Sequence, residues 1–385
     1  MTSMVKNSVI VLTLFLVTSC TSFVDSALNR VVTPPPYQPG SEAEQLHSSL
    51  IVADLHADSL LWNRDLLEDN SRGHIDIPRL QEGNVGLQVF TAVTKVPWWV
   101  SFEENPSDSD MITMLTRVQG WPKRTRKSLL ERALYQGEKI HYFINRSGGN
   151  LILITNRKNL HDIVTARRGG ESVIGAVLGI EGAHALEGDI LNLDRLYNQG
   201  FRLIGLTHFF DNDVAGSAHG KNKGGLTELG RELVKRVEQR CMILDLVHAS
   251  PQAINETLLL VSRPVIVSHT GVQGKCNNVR NLSDRHIRAV AGTGGLIGLA
   301  LFEPAMCENS VEETAGAMRY VADLVGVKHV ALGSDFDGAS TTSIDASGLV
   351  LLTEALMHEG FSKEDISSIM GENVIRLLDQ VLCDE

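Results

Sequence analysis

Eight short apolar runs, each bounded by glycine, proline or charge, recur along the chain. They lie near Leu50–Asp54, Val85–Phe90, Val173–Ile180, Arg202–Leu206, Met242–Val247, Pro264–Val267, Gly295–Leu301 and His329–Leu332. Their length and near-continuous apolarity predict strands buried on both faces. Between most of them sits a segment with apolar residues at helical spacing. Examples are LTELGRELVKRVEQR, LSDRHIRAVAGT with Ser283 as its N-cap, and VEETAGAMRYVADLVG. Strand–helix alternation predicts a parallel sheet, and eight repeats favour a closed (β/α)8 barrel of the TIM type over an open doubly wound sheet.

One connection breaks the rhythm. From Val93 to about Gly170 the chain spends about 75 residues, roughly twice what one helix and two loops require, so an insertion (about 94–170) follows the second strand. It carries Trp98, Trp99, a basic stretch (PKRTRK) and the helical pattern SLLERALYQGEKIHYFINR. Insertions at this position lie on the catalytic face, where they can form lids. The Trp pair there could either line a pocket or pack the insertion itself. The C-terminal stretch HEGFSKEDISSIMGENVIRLLDQVL predicts two short helices, the first capped by Ser362 with Asp365 completing a capping box.

Polar residues at the ends of these runs change the picture. VADLHAD delivers His56 and Asp58, VLGIEG Glu181, IGLTH His208, ILDLVH His248, VIVSH His269 and VALGSD Asp335. In a barrel all strand C-termini open onto one face, so these groups converge. His, Asp and Glu beside Val-Ile-Leu runs are costly unless they are paired or bind metal. Alone, a strand-end Asp can be a helix cap and a lone His a satisfied core residue; six such ends together are poorly explained that way. An imidazole and a carboxylate two residues apart share one side of a strand and suit Zn²⁺. His248 and His269 could supply a second metal, with Glu181 shared. Five ligands for two metals leave each an open position, as a catalytic site needs. Asp335 then stands where a general acid–base would, and His208 could hydrogen-bond a developing oxyanion.

The chain has 385 residues and a net charge of −11, which disfavours a nucleic-acid partner. Its first 19 residues read as a signal peptide: Lys6 precedes the apolar SVIVLTLFLVTSC, too short for the roughly 20 residues of a membrane span. Val17-Thr18-Ser19-Cys20 resembles a bacterial lipobox, predicting an exported protein held in the cell envelope, periplasmic side, by a lipid on Cys20. Residues 20–46, including VVTPPPYQPGSEAEQ, read as an extended Pro-rich tether to a barrel spanning 47–385. Export permits disulfides. Cys276 and Cys307 flank the seventh strand and are candidates for a bridge. Cys241, in CMILDL, reads as a small buried hydrophobe, and Cys383 has no assignment.

From about Ile51 to Leu378 the chain resembles the membrane (renal) dipeptidase family of zinc metallopeptidases. The matching pieces are DLHAD, GHIDIPRLQEGNVGLQVF, GIEGAH, GLTHFFDN, GLTELGRELVKRVEQRCMILDLVHAS, RPVIVSHTG, VRNLSD, HVALGSDFDG and GENVIRLL. The resemblance implies two Zn²⁺ per chain, with His56 and Asp58 on one, His248 and His269 on the other and Glu181 bridging. It implies His208 as a substrate-contacting histidine, Arg280 in VRNLSD as the holder of the substrate carboxylate, and Asp335 as the acid–base. The implied reaction is attack of a zinc-bridging hydroxide on a dipeptide carbonyl, with Asp335 passing a proton to the leaving amine. Relatives tolerate a D-residue at the C-terminal position, β-lactam hydrolysis is compatible with the same site, and a homodimer is compatible with the family.

There are departures. The family's Pro-Trp pair is absent: Trp62 is shifted by one residue. Phe210 replaces a family cysteine just after the substrate histidine, while Cys276 and Cys307 match the family's other bridge. The alternatives are another barrel-type metal amidohydrolase (acting on a lactam, lactone or cyclic amide) and a non-catalytic envelope-binding lipoprotein. HxD with Glu181, where barrel amidohydrolases usually carry HxH and a carboxylated Lys, disfavours the first; an intact site disfavours the second.

Overall fold

Each of the eight apolar runs overlaps a strand in the computed structural model, which describes residues 22–384. The strands are β1 (Val52–Ala57), β2 (Val85–Val93), β3 (Ile174–Glu181), β4 (Phe201–Gly205), β5 (Ile243–Asp245), β6 (Ile266–Thr270), β7 (Leu296–Leu299) and β8 (Val330–Leu332). Each pairs in parallel with the next, and β8 pairs with β1, so the sheet closes into a (β/α)8 barrel. Closure leaves no edge of the barrel to protect. Side chains alternate between two buried clusters. Leu55, Leu87, Val89, Val177, Leu203, Ile243 and Ile266 fill one, which the helix Asn373–Val381 closes with Leu377, Leu378 and Val381. Val52, Val85, Phe90 and Ile180 belong to the other, shared with the surrounding helices.

The helices follow the predicted seams. Ser283 caps Asp284–Gly292 by accepting from the His286 amide, and Ser362 with Asp365 forms the expected capping box. The insertion builds its own layer: helices Ile112–Val118, Leu129–Arg146 and Arg157–Arg168, with a short strand Leu151–Leu153 that pairs in parallel with β3. Trp98 is half-buried and Trp99 is 89 % exposed; the insertion buries Trp121, whose ring centroid lies 5.0 Å from that of Tyr135 at a tilt of 55°.

Two expectations need correction. Residues 22–46 do not run free of the barrel. Arg30–Val31 pairs in parallel with Thr341–Thr342, Asp25 is buried against Arg64, and Tyr37 donates to the Asp345 carboxylate. The chain bends at Pro35 and Pro36, and the stretch around them finds hydrogen-bond partners on the loops after β1 and β8. Cys241 is buried, as expected of an apolar position, but it is bonded to Cys383. The C-terminal helix folds back across the barrel and brings the two Cα atoms to 5.6 Å, within bridging distance. Cys276 and Cys307 form the other bridge. The signal peptide and Cys20 lie outside the described residues. Among the described residues no helix is long and apolar enough to cross a membrane.

Candidate active site

The strand ends bring the titratable groups to one buried spot. His56 lies in β1, which runs further than the sequence pattern suggests, and Asp58 follows it; His56 Nε2 is 3.4 Å from Asp58 Oδ1. Glu181 is the last residue of β3, and its Oε1 lies 3.8 Å from His56 Nε2, 3.0 Å from His248 Nε2 and 3.4 Å from His269 Nε2. Its other oxygen is 3.4 Å from His208 Nε2. Asp335 Oδ1 closes the ring, 3.9 Å from His56 and 4.0 Å from His269. Gly182 makes the crowding tolerable: with φ at 94°, any Cβ there would meet the His184 ring at 2.3 Å.

Backbone strain accumulates at the same place. His248, Asp335 and Asp337 all adopt left-handed conformations, with φ of 59°, 63° and 62°. Non-glycine residues rarely do so, and such strain persists only where the surroundings over-determine it. Two buried carboxylates, each just upstream of a candidate ligand, supply part of that support. Asp54 accepts from the Ser334 amide (2.8 Å) and hydroxyl (2.7 Å) and from Gln88 Nε2 (2.9 Å). Asp245 accepts from the Val247 and Ser268 amides, both at 3.0 Å. Thr91 donates to Asp58 at 2.5 Å, and Ser268 Oγ lies 2.9 Å from His269 Nδ1.

The electrostatics favour a cation. Burial would lower the His56 imidazole, but Asp58, Glu181 and Asp335 outweigh it and hold the ring at about 10. Burial pushes the Glu181 carboxyl well up, reinforced by Asp58 and Asp335 against the pull of His56. It raises Asp335 to about 7 and drives His208, His248 and His269 well down, which keeps those imidazoles neutral and able to ligate. His248 Nε2 and His269 Nε2 lie 3.3 Å apart, close enough for both to reach one metal. Sets of three ligand atoms lie within 4.8 Å of one another in His56–Glu181–His269, in Glu181–His208–His248 and in His56–Asp58–Asp335. The donor set therefore fits divalent metal.

Arg280 is buried too. Its guanidinium donates to the His269 carbonyl at 2.5 Å and stacks 5.8 Å from the Phe302 ring. All eight residues singled out from the sequence thus surround one centre. Trp62 does not join them: it is buried, with Nε1 donating to the Asp337 carbonyl at 2.7 Å.

Two further histidines reach the site unannounced. His219 has its ring centroid 5.2 Å from that of His248, with Nδ1 2.7 Å from the Phe102 carbonyl. That carbonyl can only accept, so Nδ1 carries the proton and Nε2, buried without a partner among the described residues, keeps its lone pair. Both ring nitrogens of His184 are likewise buried without partners among the described residues, and burial lowers the ring to about 3. His184 was visible in GIEGAH; His219 sits in the Gly-rich loop after β4, where no apolar run marks it.

The comparisons with known proteins decide the family. The sequence profile of the membrane dipeptidases (peptidase family M19) matches residues 41–383. The chain belongs to that family. It is 26 % identical over 362 residues to the dipeptidase aclJ of Aspergillus oryzae, covering 89 % of this chain and 80 % of that one. It is 28 % identical over 315 residues to the dipeptidase verJ of Clonostachys rogersoniana, covering 80 % and 76 %. A metallopeptidase from Rhodobacter sphaeroides, solved with a phosphinate mimic of the dipeptide L-Ala-D-Ala, shares the fold with a TM-score of 0.70 at 21 % identity, over 86 % of this chain and 99 % of that one. As a membrane dipeptidase the protein is a metallodipeptidase, and its family is metal-dependent.

Proposed function

We propose that the protein hydrolyses dipeptides with two Zn²⁺ ions, His56 and Asp58 holding one, His248 and His269 the other, and Glu181 both. The observation that carries this reading is the Glu181 carboxylate, buried with four imidazole Nε2 atoms within 3.8 Å of it. A mixed imidazole–carboxylate set suits zinc better than magnesium or calcium, which prefer oxygen alone. When bound, the metal pair lowers the pKa of water and polarises a carbonyl.

The chain's own groups do the rest. Arg280 grips the C-terminal carboxylate, one residue beyond the scissile bond, and so sets the length of substrate that fits. His208 donates to the oxygen that gains charge as water adds to the carbonyl carbon. Asp335 takes the proton from that water and gives it to the amine nitrogen as the C–N bond breaks. A D-residue at the C-terminal position is accepted in this reading, as the mimic bound by the Rhodobacter sphaeroides relative suggests. Export and a lipid on Cys20 would place the enzyme in the cell envelope.

Amidation of the substrate tests the reading. Hydrogen bonds to a charged group contribute about 1.5–3 kcal/mol, or roughly 10–150-fold in kcat/KM. Amidating the C-terminus of a good dipeptide should cost at least about tenfold in the wild type. In Arg280→Ala that penalty should nearly vanish. Equal rates on free and amidated dipeptides in the wild type would remove Arg280 from the site and favour a general amidase. A panel with both stereoisomers at each position then decides the D-residue question.

A further inference from the structure

We propose that Asp25, which lies outside the barrel altogether, is a positioning residue for the loop that carries Asp335. The inference rests on the role of Asp335 proposed above. Asp25 is only 3 % exposed, although its neighbours in sequence face solvent. Its carboxylate meets the fully buried Arg64 guanidinium, with Arg64 Nε 3.2 Å from Oδ2, and Arg72 Nε reaches the same oxygen at 3.1 Å. On its other side Arg64 meets Asp337 Oδ2 at 2.5 Å. Arg64 is therefore a buried cation ion-paired with one carboxylate from the catalytic loop and one from the N-terminal segment. These are charge contacts without hydrogen-bond alignment, and its hydrogen bonds run from Nη1 to the Arg72 and Ile75 carbonyls.

Asp337 ties two parts of the site together. Its carboxylate accepts from the Ser59 hydroxyl at 2.6 Å and from the His74 amide at 2.7 Å, and its own amide bonds His74 Nδ1 at 2.8 Å. Ser59 directly follows the ligand Asp58, and Asp337 lies two residues beyond Asp335. The Asp58 amide donates to the Phe336 carbonyl at 2.9 Å, which locks the loops to each other.

The N-terminal segment clamps the outside of the same loop. Asn29 donates to Asp25 at 2.8 Å and accepts from the Ala339 amide at 2.9 Å. The Val32 amide bonds the Thr342 carbonyl at 2.9 Å, the Thr33 amide bonds the Ser343 carbonyl at 3.0 Å, and the Arg30 carbonyl lies 3.0 Å from His74 Nε2. The clamped stretch contains three left-handed residues, Asp335, Asp337 and Ala339. A loop in that conformation needs outside support to keep a carboxylate aimed, and displacement of a reacting group by about 1 Å can cost about 10²-fold in rate.

A double-mutant cycle tests the assignment, measured as kcat per active site counted with a phosphinate dipeptide. Asp25→Ala should lower kcat about 10–100-fold while KM stays within about twofold and metal content is unchanged. In an Asp335→Asn background it should lower kcat no further, because the group it aims is already gone. The same fractional loss in both backgrounds, or no loss in the wild type, would overturn the proposal. Asp25→Asn keeps the volume and removes the charge, and it carries the test if the alanine variant does not fold. Normal turnover by Asp335→Asn alone would instead overturn the acid–base reading, so the two failures are distinguishable.

Discussion

Buried histidines at the two ends of the barrel live in opposite circumstances. At the far end, His47 closes the helix Ser41–Ser48 onto its neighbours, with Nδ1 2.8 Å from Thr353 Oγ1 and Nε2 3.1 Å from the Gly83 carbonyl. Both ring nitrogens are satisfied, and the nearest partners are neutral. At the strand C-termini, His56, His208, His248 and His269 crowd one carboxylate, and Nδ1 of both His208 and His248 is buried without a partner among the described residues. Burial alone separates nothing here, since both ends are buried. What separates them is whether the protein supplies the partners itself. Incompleteness marks the end that works on something else.

The sharpest way to break this contrast is at Glu181. Glu181→Gln keeps shape but removes the charge that faces four imidazoles, so bound metal should fall and turnover should become unmeasurable. Elemental analysis with a dipeptide assay checks this; active protein with a full metal complement would place the shared ligand elsewhere. Asp335→Asn should act more mildly, leaving metal and substrate binding in place and lowering kcat by about 10²–10⁴. An unchanged KM with depressed kcat is the expected signature.

The smallest effect belongs to His47, and it should appear in stability alone. Burial lowers its ring from the ordinary 6.5 to about 4. The unfolded chain therefore takes up a proton below about 6.5 while the folded chain does not until about 4. Stability from this residue is fully present above pH 6.5 and falls through that window, by about 2 kcal/mol between pH 7 and pH 5. In His47→Gln the drop in urea midpoint over that pH range should shrink accordingly, with kcat/KM at pH 7 unchanged. A variant that loses activity instead would join the far end to the site.

Most of the site was legible because a barrel converts sequence order into spatial convergence. Each ligand ends or closely follows an apolar run, and closure alone brings Glu181, His248 and His269 together although they are far apart in the chain. Strand limits were less legible: β1 continues through His56, because side-chain pattern cannot say where pairing with β2 stops. The rest depended on contacts that leave no local trace. Cys241 and Cys383 are separated by 142 residues, and an apolar run around a cysteine looks the same whether or not it is bridged. Asp25 sits in a stretch whose composition suggests a linker, and it docks because Arg64 and Arg72 both meet its carboxylate. His219 owes its place to a loop held by the Phe102 carbonyl, a contact made through the insertion.

The docked N-terminal segment also changes where the working unit begins. Asp25 and Asn29 bind groups on the loops after β1 and β8, so a chain cut back to the first barrel strand would leave the Arg64 cation buried beside Asp337 without its second carboxylate. Stranding one partner of a buried ion pair costs about 3–5 kcal/mol. Trimming a stretch that looks like a tether would therefore be felt as lost stability, not as lost reach.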